Sequence, residues 1–150
     1  MIYLDASVVF SLYCADQSTA FAVPLILAAR GPLLLSSLCE FEVVNAFSLC
    51  VFRKDFTTPE ALRARRKLEL NIDSGAYINL PLPESTFRRA RVLSETITPV
   101  VGVRAADLLH IAAALEFGAS SFFTFDRRQS AAAHAAGLKV NPLPGSYPQP

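Results

Sequence analysis

Five short apolar runs, IYL, PLLLSS, YINLPL, SSFFTF and LKV, punctuate the chain, and stretches of helical length separate each from the next. Such runs are too short for buried helices and suit strands. Strands that alternate with helices are best buried as a parallel sheet whose crossovers cover both faces. The intervening sequence agrees. Helices are expected from about Ser7 to Tyr13, in part of residues 17–29, where Pro24 obscures the start, and over CEFEVVNAFSLCVFRK. TTPEALRARRKLELNI opens with Thr and Pro as start signals, and PESTFRRARVLSE is amphipathic. RAADLLHIAAALEFG and RRQSAAAHAAG end on Gly118 and Gly137, the expected stop residues. The reading is an α/β fold of three α/β/α layers around a central parallel sheet of four to five strands. It forms one domain over residues 1–140, followed by a Pro-rich tail at 141–150.

Composition narrows the function classes. Net charge is +1, so no global field gathers nucleic acid, and any such contact rests on local clusters. Hydrophobic residues make up 52% and charged residues 18%, which suggests a filled core and a sticky surface kept for a partner. No uncharged stretch is long enough to span a bilayer, and MIYLDASVV lacks the basic start and cleavage site of a secretory signal. Cys14, Cys39 and Cys50 are odd in number and form no CxxC pair. Free thiols in a reducing cytoplasm are expected.

Carboxylates carry the chemistry. Asp5 follows the first strand and Asp126 follows FFTF, at the strand ends where open parallel sheets build sites. Glu42 and Asp107 interrupt very apolar helices, EFEVVNAF and AADLLHIAAA. Taken singly, each has an ordinary reading: a helix N-cap for the two strand-end acids, a narrow solvent stripe for the two helical ones. Glu40 competes with Glu42, because residues two apart cannot share a helix face. Taken together, acids gathered at one sheet end repel unless a divalent cation joins them. Mg²⁺ or Mn²⁺ suits oxygen ligands of this kind and points to phosphodiester hydrolysis. A GxxxxGKS/T loop, a GxGxxG after the first strand and a GxSxG elbow are all absent, which disfavours P-loop, dinucleotide and serine-hydrolase chemistry.

Four segments, YLDASVVFSLY, SSLCEFEVVNAF, RAADLLHIAAALEFGA and FFTFDRRQSAAAHAAGLKV, give the chain a resemblance to PIN domains. It most resembles the VapC-type ribonuclease toxins of toxin–antitoxin pairs. The resemblance spans nearly the whole chain and implies a PIN-like fold in agreement with the parallel sheet above. It implies that Asp5, Glu42, Asp107 and Asp126 hold one or two Mg²⁺ or Mn²⁺ ions and that single-stranded RNA is cleaved by a metal-activated water. Ser7 and Thr124 align with small polar residues that support such sites. The resemblance also implies a homodimer and a small antitoxin partner.

Other residues divide between roles. Asn45, three after Glu42 on the same helix face, is expected to support the site. Arg127 and Arg128 follow Asp126 and either hold substrate phosphates or are solvated charges at a helix start. Arg104, one turn before Asp107, either pairs with a site acid or touches RNA. His110 is expected as a core or interface histidine within reach of Asp107. The competing function is a non-catalytic PIN-like module that docks a partner.

Overall fold

The structure, a computed structural model, describes residues 1–143. The remainder of the expected Pro-rich tail, 144–150, lies outside the described residues. Five strands form one parallel sheet: β1 (Ile2–Leu4), β2 (Leu33–Ser36), β3 (Ile78–Leu80), β4 (Ser121–Phe123) and β5 (Lys139–Val140), in the order β3-β2-β1-β4-β5. β1 is central. Tyr3 pairs with Leu34 of β2 on one side and with Phe122 of β4 on the other.

The inner strands β1, β2 and β4 are covered on both faces, so alternate residues feed two cores. Tyr3, Leu34 and Phe122 enter one core; Ile2, Leu4 and Leu35 enter the other. Tyr3 and Phe122 stack at 5.4 Å between ring centroids with planes 8° apart. The first core is covered by α5 (Glu84–Thr96), α6 (Thr98–Val101), α7 (Ala105–Glu116) and α8 (Arg127–Ala135). The second is covered by α1 (Ala6–Tyr13), α3 (Ser37–Phe52) and α4 (Thr58–Asp73), with α2 (Thr19–Ala28) packed on α1.

Thr57 and Glu60 close a capping box at the start of α4, ahead of its Pro59. Gly118 and Gly137 end α7 and α8 in the left-handed region (φ 69° and 88°), which a Cβ would disfavour. α2 falls within the expected 17–29 stretch, starting at Thr19 and continuing past Pro24, which forgoes one backbone hydrogen bond. The four residues of α6 were not anticipated, because one turn carries no periodicity. The three cysteines are free; Cys14 and Cys39 are buried and Cys50 is half-buried. No helix among the described residues is long and apolar enough to cross a membrane.

Candidate metal centre

Because β1 ends at Leu4, Asp5 becomes the N-cap of α1 at the carboxyl edge of the sheet. It is only 6% exposed. Its Oδ2 accepts from the Ser7 amide (3.0 Å) and the Ser7 hydroxyl (2.6 Å), and lies 3.2 Å from the Thr124 hydroxyl. Its Oδ1 accepts from Gln129 Nε2 (3.1 Å). Thr124 in turn contacts Gln129 Oε1 and accepts from the Asp126 amide. The cap and the site are therefore one carboxylate, oriented entirely by neutral donors. Ser7 and Thr124, expected beside the site, both touch it. Gln129, 1% exposed, was not anticipated. A signal existed: it shares a helix face with Ala132 and Ala133, so its amide had to point inward.

α3 begins at Ser37 and turns Glu42 toward β1, beside the fully buried Cys39 and Val43. Glu40 turns the other way and accepts from Asn79 Nδ2. The one-turn geometry thus separates the two competing acids: Glu42 faces Asp5, and Glu40 faces β3.

His110 projects from α7 into the same place and is 1% exposed. Its Nε2 lies 2.8 Å from Glu42 Oε2 and 3.8 Å from Asp5 Oδ1. Its Nδ1 lies 2.8 Å from the Tyr3 hydroxyl. Burial pushes the imidazole pKa down. The Glu42 hydrogen bond and the charges of Asp5, Glu42 and Asp107 outweigh burial and raise it overall. It is a core histidine, as expected, yet its carboxylate partner is Glu42, reached across 68 residues of sequence.

One potential ligand atom from each of Asp5, Glu42 and His110 falls within 4.8 Å of the others. Asp107 and Asp126 stand outside this tight group. Asp107 is half-buried in the first turn of α7 and accepts from the Arg104 amide (3.3 Å). Burial holds its carboxyl above the usual carboxylate range despite that hydrogen bond. The charges of Asp126 and Asp5 add to the rise, and His110 opposes it. Asp126 is exposed, caps α8 and accepts from the Gln129 amide (2.8 Å). Among the described residues, no lysine or arginine is ion-paired with any of these four acids. Clustered oxygen donors without a lysine or arginine partner fit a hard divalent cation. Asn45 lies exposed one turn beyond Glu42, and Arg104, Arg127 and Arg128 are also exposed.

The Asp107 shift has a measurable consequence. An acid whose folded pKa is raised favours folding while protonated, and this contribution is lost as pH rises through the folded value. Metal-free Asp107→Asn is therefore expected to melt ~1–3 °C above wild type at pH 7, allowing for solvent screening. The gap closes as pH falls below about 4, where both states are protonated. Thermal melts at pH 7 and pH 3 in EDTA measure it; a lower Tm for the variant at pH 7 refutes the strain.

The PIN domain family model matches residues 2–135. No curated protein sequence matches the chain. Solved structures do. VapC20 of Mycobacterium tuberculosis, a sarcin–ricin loop cleaving toxin, superposes with TM-score 0.66 at 17% identity, covering 88% of this chain and 95% of its own. FitAcB from Neisseria gonorrhoeae gives 0.67 at 20% identity, covering 93% and 96%. VapBC2 from Rickettsia felis, bound to a promoter DNA fragment, gives 0.66 at 16%, covering 94% and 98%. At these identities the solved structures establish the shared fold. The family match spans the four acids, from Asp5 to Asp126, together with His110, and on that match the chain belongs to the PIN domain family.

Proposed function

We propose that this chain is a Mg²⁺- or Mn²⁺-dependent endoribonuclease that hydrolyses phosphodiester bonds of single-stranded RNA, as the toxin of a toxin–antitoxin pair. The observation that carries the reading is the buried Asp5 carboxylate gathered with Glu42 at the sheet edge and electrostatically coupled to Asp107. Family membership supports nuclease chemistry. The match to VapC20, a sarcin–ricin loop cleaving toxin, supports the substrate class and the toxin role.

In this reading Asp5, Glu42, Asp107 and Asp126 hold the cation. Bound there, it supplies acidity to water and neutralises charge on the phosphoryl oxygen. Ser7, Thr124 and Gln129 keep Asp5 in one orientation, so little reorganisation is needed when a cation arrives. Asn45 lies beside Glu42 as a support for the bound state. The exposed Arg127, Arg128 and Arg104 flank the centre and grip substrate phosphates.

An antitoxin and a second copy of the chain are the proposed partners. Exposed apolar side chains support them, notably Phe41 (65%), Phe52 (83%) and Val100 (85%). The matches to FitAcB and VapBC2 point the same way.

Cleavage of labelled single-stranded RNA by antitoxin-free protein tests the reading. Activity is expected with Mg²⁺ or Mn²⁺, and is expected to vanish in EDTA and in Asp107→Asn. Folded protein that cuts no RNA across several sequences would shift the function to the partner-docking module. Wild-type speed in Asp107→Asn would instead remove that residue from the site.

A further inference from the structure

His110 is the one nitrogen donor among the oxygens of the centre, and its position allows two roles: a ligand of the cation, or a holder of Glu42. The hydrogen bonds around it separate them. An ionised carboxylate only accepts, so at 2.8 Å from Glu42 Oε2 the Nε2 atom must carry a proton. In the neutral ring, Nδ1 is then a lone pair and accepts from the Tyr3 hydroxyl (2.8 Å). The Tyr3 oxygen accepts from Ser36 Oγ (2.6 Å), which itself accepts from the Cys39 amide (3.2 Å). Every donor in this buried run has an acceptor.

The opposite direction fails twice. It places two lone pairs against each other between Nε2 and Glu42, and it leaves the Ser36 proton with no acceptor among the described residues. Ser36 and Tyr3 are both fully buried, so water does not repair the loss. In the doubly protonated ring, too, Nε2 keeps its proton toward Glu42.

We infer that His110 is a positioning residue: the Ser36–Tyr3–His110 run fixes its Nε2–H against Glu42, orients that carboxylate for the cation, and keeps the imidazole itself off the cation. The inference rests on the nuclease reading above. The arrangement also explains why a tyrosine occupies an otherwise apolar strand, where phenylalanine would stack equally well on Phe122.

The chain has two histidines, so in ¹⁵N-labelled His134→Gln protein His110 gives the only imidazole signals. Long-range ¹H–¹⁵N spectra report which ring nitrogen is protonated. Protonated Nε2 is expected without Mg²⁺ and with saturating Mg²⁺. An unprotonated Nε2 in metal-free protein overturns the inference. So does a switch of the proton to Nδ1 on adding Mg²⁺, which would make His110 a ligand.

Calorimetric titration supplies the second readout. Tyr3→Phe is expected to weaken Mg²⁺ binding about 10-fold. His110→Gln, which retains an N–H for Glu42, is expected to bind Mg²⁺ more tightly than His110→Leu. Unchanged affinity in folded Tyr3→Phe overturns the relay. Wild-type protein that neither binds Mg²⁺ nor cuts RNA removes the nuclease reading and this role together. That outcome is distinct from a wild type that does both with His110 as a ligand.

Discussion

Asp5→Asn is expected to lower RNA cleavage by ~10³-fold or more while leaving the fold intact. The loss follows from removing a charged ligand: several kcal/mol of transition-state stabilisation corresponds to three or more powers of ten. The intact fold follows from the neighbours. Ser7 presents fixed donors to Oδ2, so the asparagine oxygen stays there and its amide takes the place of Oδ1. That amide would face the Gln129 amide, but Gln129 flips by half a turn and presents Oε1 instead. Thr124, which is both donor and acceptor, follows the flip. The Tm is thus expected within ~2 °C of wild type, with Mn²⁺ affinity sharply reduced. Single-turnover cleavage, Mn²⁺ titration and a melt on one preparation decide it. Near-wild-type cleavage would mean that Asp5 is only a helix cap.

The largest stability loss is expected at Phe122, in the middle of β4. Its ring is fully buried, stacked on Tyr3, and packed with Leu34, Ile111 and Ala133 in the core under α7 and α8. Truncation to alanine removes the burial and leaves a cavity that strands pinned on both sides do not close. Phe122→Ala is therefore expected to cost ~3–5 kcal/mol, a large part of the stability of an ordinary domain. In a chain of this length that is roughly 10 °C in Tm. Phe52, 83% exposed at the end of α3, is the control, and its alanine variant is expected to stay within about 0.5 kcal/mol. Urea unfolding followed by circular dichroism separates the two. A Phe122→Ala loss below ~1 kcal/mol would mean that the stack carries little of the core.

Local chemistry announced most of the fold. The apolar runs of β1, β2 and β4 became strands because a strand buried on both faces needs no polar alternation. The capping signals of α4 and the stop glycines of α7 and α8 lie within a turn of the ends they mark. Asp5 and Asp126 were legible as strand-end acids for the same local reason. Long-range partners were not. Nothing within reach of His110 in sequence names Glu42, and nothing near Tyr3 names His110, because the sheet brings them together from 68 and 107 residues apart. Telling Glu40 from Glu42 needed the β3 residue Asn79, 39 residues from Glu40 in sequence.

The place of β1 has a consequence in time. Among the described strands the first in sequence is the central one, and its two edges are filled at very different moments. β2 follows after only α1 and α2, so the half of the molecule around α1, α3 and α4 can assemble early. The other edge of β1 waits for β4, whose Phe123 carbonyl accepts from the Asp5 amide. His110, Thr124 and Gln129, which orient Glu42 and Asp5, all arrive in the last third of the described chain. Until residues through Gln129 have left the ribosome, a nascent chain carries Asp5 and Glu42 without the neighbours that orient them. Under the proposed ribonuclease function, that order of arrival would keep the centre incomplete while the message is being translated.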